Sequence, residues 1–426
     1  MSEILAIVGI IFFLMLAHRH FQWALAMLIF LLPSYLWRLD FFGLPSTFLE
    51  LMILSLFVFW LIKDKKWERI NYFWQNPNIN PLDKKLKFLL AAWLLLSLGS
   101  VFVSFSLSSL GLWRAYFLES LMFFLVFVYS FKKFRDLKTV FWAMSILIFA
   151  LGTVSLWQYF SAWNLPAAYN FPNIKRLTGL FSYPNALALL VAPLSGFLFA
   201  LSFKLKDKVE KIAYLLASIV GFVLVLATKS EGALLALAFA LFVFVFCQLK
   251  QKIYRAGLLA LSMFILFFSP LKAYIIQAWQ DLLHPVASHF TSSLAIRGLQ
   301  WQEAVNLLKD HWLFGAGLNN YQTLMIQYHQ ITWLEIFLYP HNIFLNFWVE
   351  LGLLGLIVFI LLLVYIIQAL RKLFLKQHIL AWPLALFLIV WFIHGLVDVP
   401  YFKNDLSVLF FLFLGLLVIA QKNDQT

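Results

Sequence analysis

Ile343-Phe-Leu-Asn-Phe-Trp-Val-Glu-Leu-Gly-Leu-Leu-Gly-Leu-Ile-Val-Phe-Ile-Leu-Leu-Leu-Val-Tyr-Ile-Ile-Gln368 runs for 26 residues with Glu350 as its one charged side chain. A helix rises about 1.5 Å per residue and the hydrocarbon layer of a bilayer is about 30 Å thick, so about 20 apolar residues are enough to cross it. The stretch therefore predicts a membrane-spanning helix, set near residues 342–370. Similar runs lie on both sides of it, near 3–17, 21–37, 44–62, 88–106, 112–131, 139–160, 184–203, 212–228, 231–249, 256–270, 377–395 and 404–420. The first two are the least regular, because His18-Arg19-His20 either separates two spans or sits inside one. The expected fold is all-α and integral to the membrane, with about 12–13 transmembrane helices.

Composition points the same way. Of 426 residues, 63% are hydrophobic and 12% charged, with 48 Phe and 17 Trp, and mean hydropathy is +0.89. So few polar side chains cannot cover several water-soluble globules, which excludes an ordinary soluble protein. The opening Met1-Ser2-Glu3 has no basic leader, so no cleaved signal peptide is expected. The single Cys247 lies in an apolar run and offers neither a disulfide framework nor a thiolate metal site.

Net charge is +13, and in a membrane protein its distribution is the informative part. Lys and Arg concentrate at Arg19, in 63–87, 132–138, 204–211, 250–255 and 371–376, and in the tail. The exceptions are Arg38, Arg114, Lys175, Arg176, Lys229, Lys272, Arg297, Lys309 and Lys403. Every second connection is basic, which by the positive-inside rule makes those connections cytoplasmic. The alternation places 161–183 and 271–341 outside; the N-terminus is outside with thirteen spans and inside with twelve. The charge reports topology, and no nucleic-acid partner is expected.

This divides the chain into an N-terminal transmembrane bundle, 1–270, a large outward loop, 271–341, and C-terminal helices with a cytoplasmic tail, 342–426. Long loops are uncommon unless they bind or catalyse. This one carries its own helix pattern, with apolar residues at 294, 301, 304, 305, 307 and 308. Phe314-Gly-Ala-Gly-Leu-Asn-Asn320 then signals a turn of unusual backbone geometry. No internal repeat or low-complexity tract stands out.

Five of nine histidines lie in the loop: His284, His289, His311, His329 and His341. Their spacing does not favour zinc, and neither metal nor cofactor is expected. The first four read as polar residues at the membrane-water boundary. His341, in Tyr339-Pro-His-Asn342, stands where the loop re-enters the membrane. An imidazole there could accept a hydroxyl proton near neutral pH, or serve as an interfacial anchor or helix cap. Arg176, just before a span, and Arg297, on the loop helix, suit a diphosphate, since guanidinium forks pair bidentately with phosphoryl oxygens. Contact with lipid headgroups is the alternative. Arg114 precedes Glu119 by five residues, a poor spacing for a direct pair on one helix, so each is expected to find a partner elsewhere. Outer aromatic residues, including Trp163, Tyr169, Trp312, Tyr321, Trp333 and Tyr339, read as an interfacial belt.

Arg176-Leu-Thr-Gly-Leu-Phe-Ser-Tyr-Pro-Asn185, Arg297 with Trp301 and Gly315-Ala-Gly317, and above all His341-Asn342 followed by Glu350-Leu-Gly352-Leu-Leu-Gly355 resemble the bacterial O-antigen ligase and O-antigen polymerase superfamily of membrane glycosyltransferases. The likeness covers most of residues 88–420. One departure is Thr228-Lys-Ser-Glu-Gly232, where many members carry threonine-x-serine-arginine-glycine, so Glu231 stands at the arginine position and is not given its role.

The resemblance implies a GT-C-like enzyme of the bacterial plasma membrane, multi-pass, with its site on the extracytoplasmic side. It would move a glycan from a polyprenyl-diphosphate carrier to an acceptor hydroxyl on a glycan, lipid or protein, lipid A core among them. In that chemistry Arg176 and Arg297 would hold the diphosphate, His341 would be the base, and Asn342, Arg114 and Glu350 would support them. No metal-binding Asp-x-Asp element is present, in keeping with a lipid-linked donor. Ligase and polymerase share donor chemistry and differ in acceptor. A transporter or flippase would instead be expected to place its polar residues near the midplane of paired half-repeats. An envelope scaffold would need neither His341 nor the two arginines.

Overall fold

The computed structural model describes residues 2–41, 44–63, 82–131, 133–171, 174–268, 276–277, 279–280, 293–331 and 333–422. Its helices are α1 (Ser2–Arg19), α2 (Phe21–Phe30), α3 (Phe48–Lys63), α4 (Lys84–Val103), α5 (Leu107–Ser130), α6 (Lys138–Ser161), α7 (Pro184–Ser202), α8 (Lys208–Thr228), α9 (Glu231–Gln248), α10 (Lys252–Phe268), α11 (Ser293–Asp310), α12 (Tyr321–Met325), α13 (Ile343–Leu375), α14 (Ala381–Gly395) and α15 (Asn404–Lys422). Among the described residues nine are long and apolar enough to cross a membrane: α1, α4 to α9, α13 and α15. The protein is thus an all-α polytopic membrane protein, and α2 and α14 are shorter apolar helices.

The region expected to hold the second and third spans is rearranged. Residues 21–37 are α-helical only to Phe30. Pro33, which lacks an N–H and crowds the preceding turn, lies in a 3-10 turn over Leu32–Leu36. The chain then forms the antiparallel hairpin Arg38–Phe41 with Leu44–Thr47, and α3 begins only at Phe48.

Helices α7 and α15 are apolar all round and almost wholly buried, the condition of a helix surrounded by others. Around them α7 packs on α8 and α14, α15 on α5, α13 on α4, and α9 on α14. One hydrophobic core runs from Ala6 to Ala420, so the last three spanning elements thread among the earlier ones. At one end of the bundle Tyr365 donates to Asp83 at 2.9 Å, and Lys138 pairs with Glu210 at 2.6 Å. The connections 162–183, 229–230, 293–342 and 396–403 collect at the other end.

Helix α13 is broken inside the bundle. Gly352 has φ 71°, a left-handed conformation in which only glycine avoids a Cβ clash. The break frees backbone groups, and the 312–319 turn takes them up. Leu353 N–H donates to Leu313 carbonyl at 3.0 Å, Ala316 N–H to Val349 carbonyl at 2.7 Å, and Trp348 Nε1–H to Trp312 carbonyl at 2.7 Å. Within the turn Gly315, Gly317 and Asn319 all have positive φ, the unusual geometry its glycines and asparagines announce. A Cβ on Gly315 or Gly352 would run into the facing backbone, which is why the two strands of chain approach so closely. The loop helix α11 forms as expected and packs against α13, burying Ala304, Leu307 and Leu308 of the expected face, but Val305 is exposed and the polar Gln300 and Glu303 are buried instead.

Candidate active site at one end of the bundle

Arg176 sits on a loop that one buried side chain holds in place. Gln158 Oε1 accepts from the N–H groups of Thr178 and Gly179, both at 2.9 Å, and its amide donates to Thr178 Oγ1 at 3.0 Å. Gly179 takes φ 59°, the conformation that lets both N–H groups face one acceptor. Arg176 Nε donates to Thr228 carbonyl at 2.9 Å, and Nη2 donates to Asn185 Oδ1 at 3.3 Å. Its guanidinium also lies 5.8 Å from the Tyr169 ring centre. Burial, with the like charge of Arg297 behind it, pushes its pKa down against the opposing effects of Tyr169 and Glu231, yet a guanidinium stays charged throughout the physiological range.

The network continues to His341. Asn185 Nδ2 donates to Asp398 Oδ2 at 3.0 Å, and Asp398 Oδ1 lies 3.4 Å from His341 Nδ1. This last is a charge contact at the long edge of hydrogen-bond reach, a length common in sites without substrate. Val399 N–H also donates to Asp398 Oδ1 at 2.8 Å. Burial alone would raise the Asp398 carboxyl, but the hydrogen bond and charge of His341, followed by His394 and Arg297, hold it below the usual carboxylate range. His341 adopts φ 47°, a strained conformation for a non-glycine residue. Asn342 fixes that turn: its Oδ1 accepts from Phe344 and Leu345 N–H at 3.0 and 3.1 Å, capping α13, while Nδ2 donates to Leu396 carbonyl at 2.9 Å. Asn342 thus ties His341 to the segment that carries Asp398.

Arg297, on α11, donates from Nη1 to Ser293 Oγ at 2.8 Å. No carboxylate among the described residues lies within ion-pair distance of it, and its charge acts on Arg176, His394 and Asp398. The three residues read from the sequence therefore converge at one end of the bundle from three separate elements. Among the described residues no carboxylate lies within ion-pair distance of either guanidinium.

The remaining residues fall into two other settings. Arg114 and Glu119, expected to find separate partners, are paired at 3.0 Å. The physical reason is a π turn over Arg114–Leu118, hydrogen-bonded from Glu119 N–H to Arg114 carbonyl, which brings residues five apart onto one face. Arg114 also pairs with Glu50 at 2.6 Å, and Glu50 in turn accepts from Asn404 Nδ2 at 2.6 Å. Asn404 directly follows the 396–403 segment, and Arg114 itself touches none of Arg176, Arg297 and His341 among the contacts of the described residues. Glu350 does not join His341: buried in α13, its Oε2 accepts from Asn319 N–H at 2.6 Å and fastens the glycine turn to the broken helix. His329 pairs with Glu303 at 3.0 Å, and the His311 ring meets Tyr328 edge-on at 6.1 Å. His284, His289 and Lys272 lie outside the described residues.

Asp398, Gln158 and His394 were not legible as functional residues. Asp398 had one signal, an acidic residue in the short link between two apolar runs; Gln158 sits inside a span with no flanking motif.

Residues 216–360 match a family model described as O-antigen ligase. No curated protein matches the chain. The matched region runs from within α8 into α13, so it contains Thr228–Gly232, Arg297, the glycine turn, His341, Asn342, Glu350 and Gly352, whereas Arg176, Asn185 and Asp398 lie outside it. Residues 216–360 are thus similar to the O-antigen ligase family, a likeness that covers about a third of the chain.

Proposed function

We propose that the protein transfers a glycan from a polyprenyl-diphosphate carrier to an acceptor hydroxyl at the outer face of the bacterial plasma membrane. The observation that carries this reading is the convergence of His341, backed by Asp398, with Arg176 and Arg297 at the end of the bundle away from the basic connections.

In this reading Asp398 holds the Nδ1–H of His341, which leaves the Nε2 lone pair for the acceptor. The attacking hydroxyl loses its proton to Nε2 as its oxygen bonds to the anomeric carbon. The bond from that carbon to the phosphoryl oxygen breaks, and the diphosphate departs with the electron pair. Negative charge grows on the departing oxygen, where Arg176 and Arg297 stabilise it. Asp398 meanwhile stabilises the imidazolium, as a buried carboxylate does behind a general base. A single displacement inverts the anomeric centre. No step calls on a metal or cofactor.

The test is transfer by purified full-length protein in lipid nanodiscs, given a polyprenyl-diphosphate glycan and either lipid A core or a second lipid-linked glycan as acceptor. A ligase glycosylates the first and a polymerase lengthens the second. His341→Ala is expected to abolish product while the protein remains folded. Unchanged transfer by that variant would overturn the base assignment, and movement of the glycan across a membrane without a new glycosidic bond would favour transport.

A further inference from the structure

Lys403 occupies a setting that the transfer chemistry above does not use. It lies in the link between α14 and α15, five residues past Asp398. Its Nζ is 4.8 Å from the ring centre of Phe181, 5.0 Å from that of Tyr35 and 5.3 Å from that of Tyr183. Three ring faces around one ammonium form an aromatic cage, each face offering negative quadrupole to the cation. Among the described residues no carboxylate oxygen comes within 4.0 Å of Nζ, and Nζ makes no hydrogen bond. Asp405 and Asp398 act on it only from farther off, while burial pushes its pKa down. An ammonium desolvated by rings and lacking a close counter-ion gains by meeting an anion.

The cage is continuous with the base. Tyr183 and Tyr339 hydroxyls are 3.1 Å apart, and the Tyr339 ring meets the His341 ring edge-on at 4.9 Å between centres. Arg176 reaches His341 by another route, through Asn185 and Asp398. The leaving diphosphate already has two guanidinium groups. The hydroxyl that His341 deprotonates belongs to the acceptor, so a charge linked to His341 through Tyr183 and Tyr339, and apart from that pair, is placed for the acceptor.

We infer that Lys403, with Tyr35, Phe181 and Tyr183, forms an acceptor subsite that selects a sugar bearing an anionic substituent, phosphoryl or carboxylate, near the attacked hydroxyl. This rests on the transferase reading. It would make Lys403 a binding residue for the acceptor, silent toward the donor.

The experiment uses full-length protein in nanodiscs with a fixed polyprenyl-diphosphate glycan and whichever acceptor the wild type glycosylates. The acceptor is offered intact, with its phosphates removed, or with its carboxylates reduced. One charge-assisted contact corresponds to about tenfold in affinity. Stripping the recognised anion is therefore expected to raise the wild-type acceptor KM about tenfold, and the arm that does so identifies the anion. Lys403→Met, which keeps the packed stem, should show the same rise with intact acceptor and no further rise with the stripped one. Its donor KM should stay within twofold. Lys403→Arg should recover most of the affinity, and its elution and thermal midpoint check folding independently of activity. A rise in donor KM, additive losses from variant and stripping, or an acceptor KM unaffected by Lys403→Met would each overturn the subsite. His341→Ala inactive beside an unaffected Lys403→Met would sink this inference and leave the transferase reading standing.

Discussion

Replacing Asp398 by Asn tests what the carboxylate does for His341, because shape is nearly kept while the charge is lost and one of the two acceptor oxygens becomes a donor. The imidazolium formed during transfer faces a carboxylate oxygen 3.4 Å away. Two unit charges at that separation interact by about 5 kcal/mol at an effective dielectric of about 20. His341 is 17% exposed, so screening reduces the loss to about 3–4 kcal/mol, or roughly two to three powers of ten in rate. The expected result for Asp398→Asn is a kcat about 100- to 1000-fold lower with donor and acceptor KM within threefold, since neither substrate touches the carboxylate in the proposed geometry. The assay is initial-rate transfer in nanodiscs, with product measured by mass spectrometry and thermal unfolding followed in parallel. A folded Asp398→Asn protein with kcat within threefold of wild type would refute the reasoning; so would a loss confined to KM.

The same carboxylate sets a sign for stability against pH. Asp398 is held below its ordinary value of 3.8, so its contribution is complete above about pH 4 and is lost as pH falls through the lowered folded value. The stability gap between wild type and Asp398→Asn should close below about pH 4, by tryptophan fluorescence. Arg297→Ala should raise the donor KM more than Arg297→Lys does; equal losses would argue against bidentate phosphate binding. Arg114→Gln leaves Glu50 and Glu119 facing each other without a cation and should cost on the order of 2–3 kcal/mol in thermal unfolding, below a fully buried pair because a third of the arginine is exposed. A midpoint unchanged by that substitution would remove its bracing role. Gly352→Ala forces a Cβ into the Leu313 carbonyl at a left-handed φ and should cost roughly 2–5 kcal/mol, with hydrogen exchange rising first at residues 312–319.

The thirteen apolar stretches correspond to thirteen of the fifteen described α-helices, all but α11 and α12, because hydrocarbon length is written directly into composition, and α11 was legible because its apolar residues repeat at helical spacing. Where the correspondence slipped, a local feature outweighed the pattern. Pro33 ended a helix that hydropathy would have continued, and five residues of π turn rotated Glu119 onto Arg114. Neither backbone choice leaves a periodic trace. Gly352 was visible as a motif position, but its purpose, to open α13 for the 312–319 turn, was not.

By itself the sequence determined that the chain lives in a membrane, roughly where it crosses, and that His341, Arg176 and Arg297 were the polar residues to watch. Burying a charge in or beside hydrocarbon is so costly that each exception to an apolar run marks itself. Only the tertiary structure decided which exceptions meet. Asn185 and Asp398 are 213 positions apart, yet their side chains are 3.0 Å apart. Nothing local encodes such contacts, because they depend on how α7, α13 and α14 pack, and packing is a property of all the helices at once.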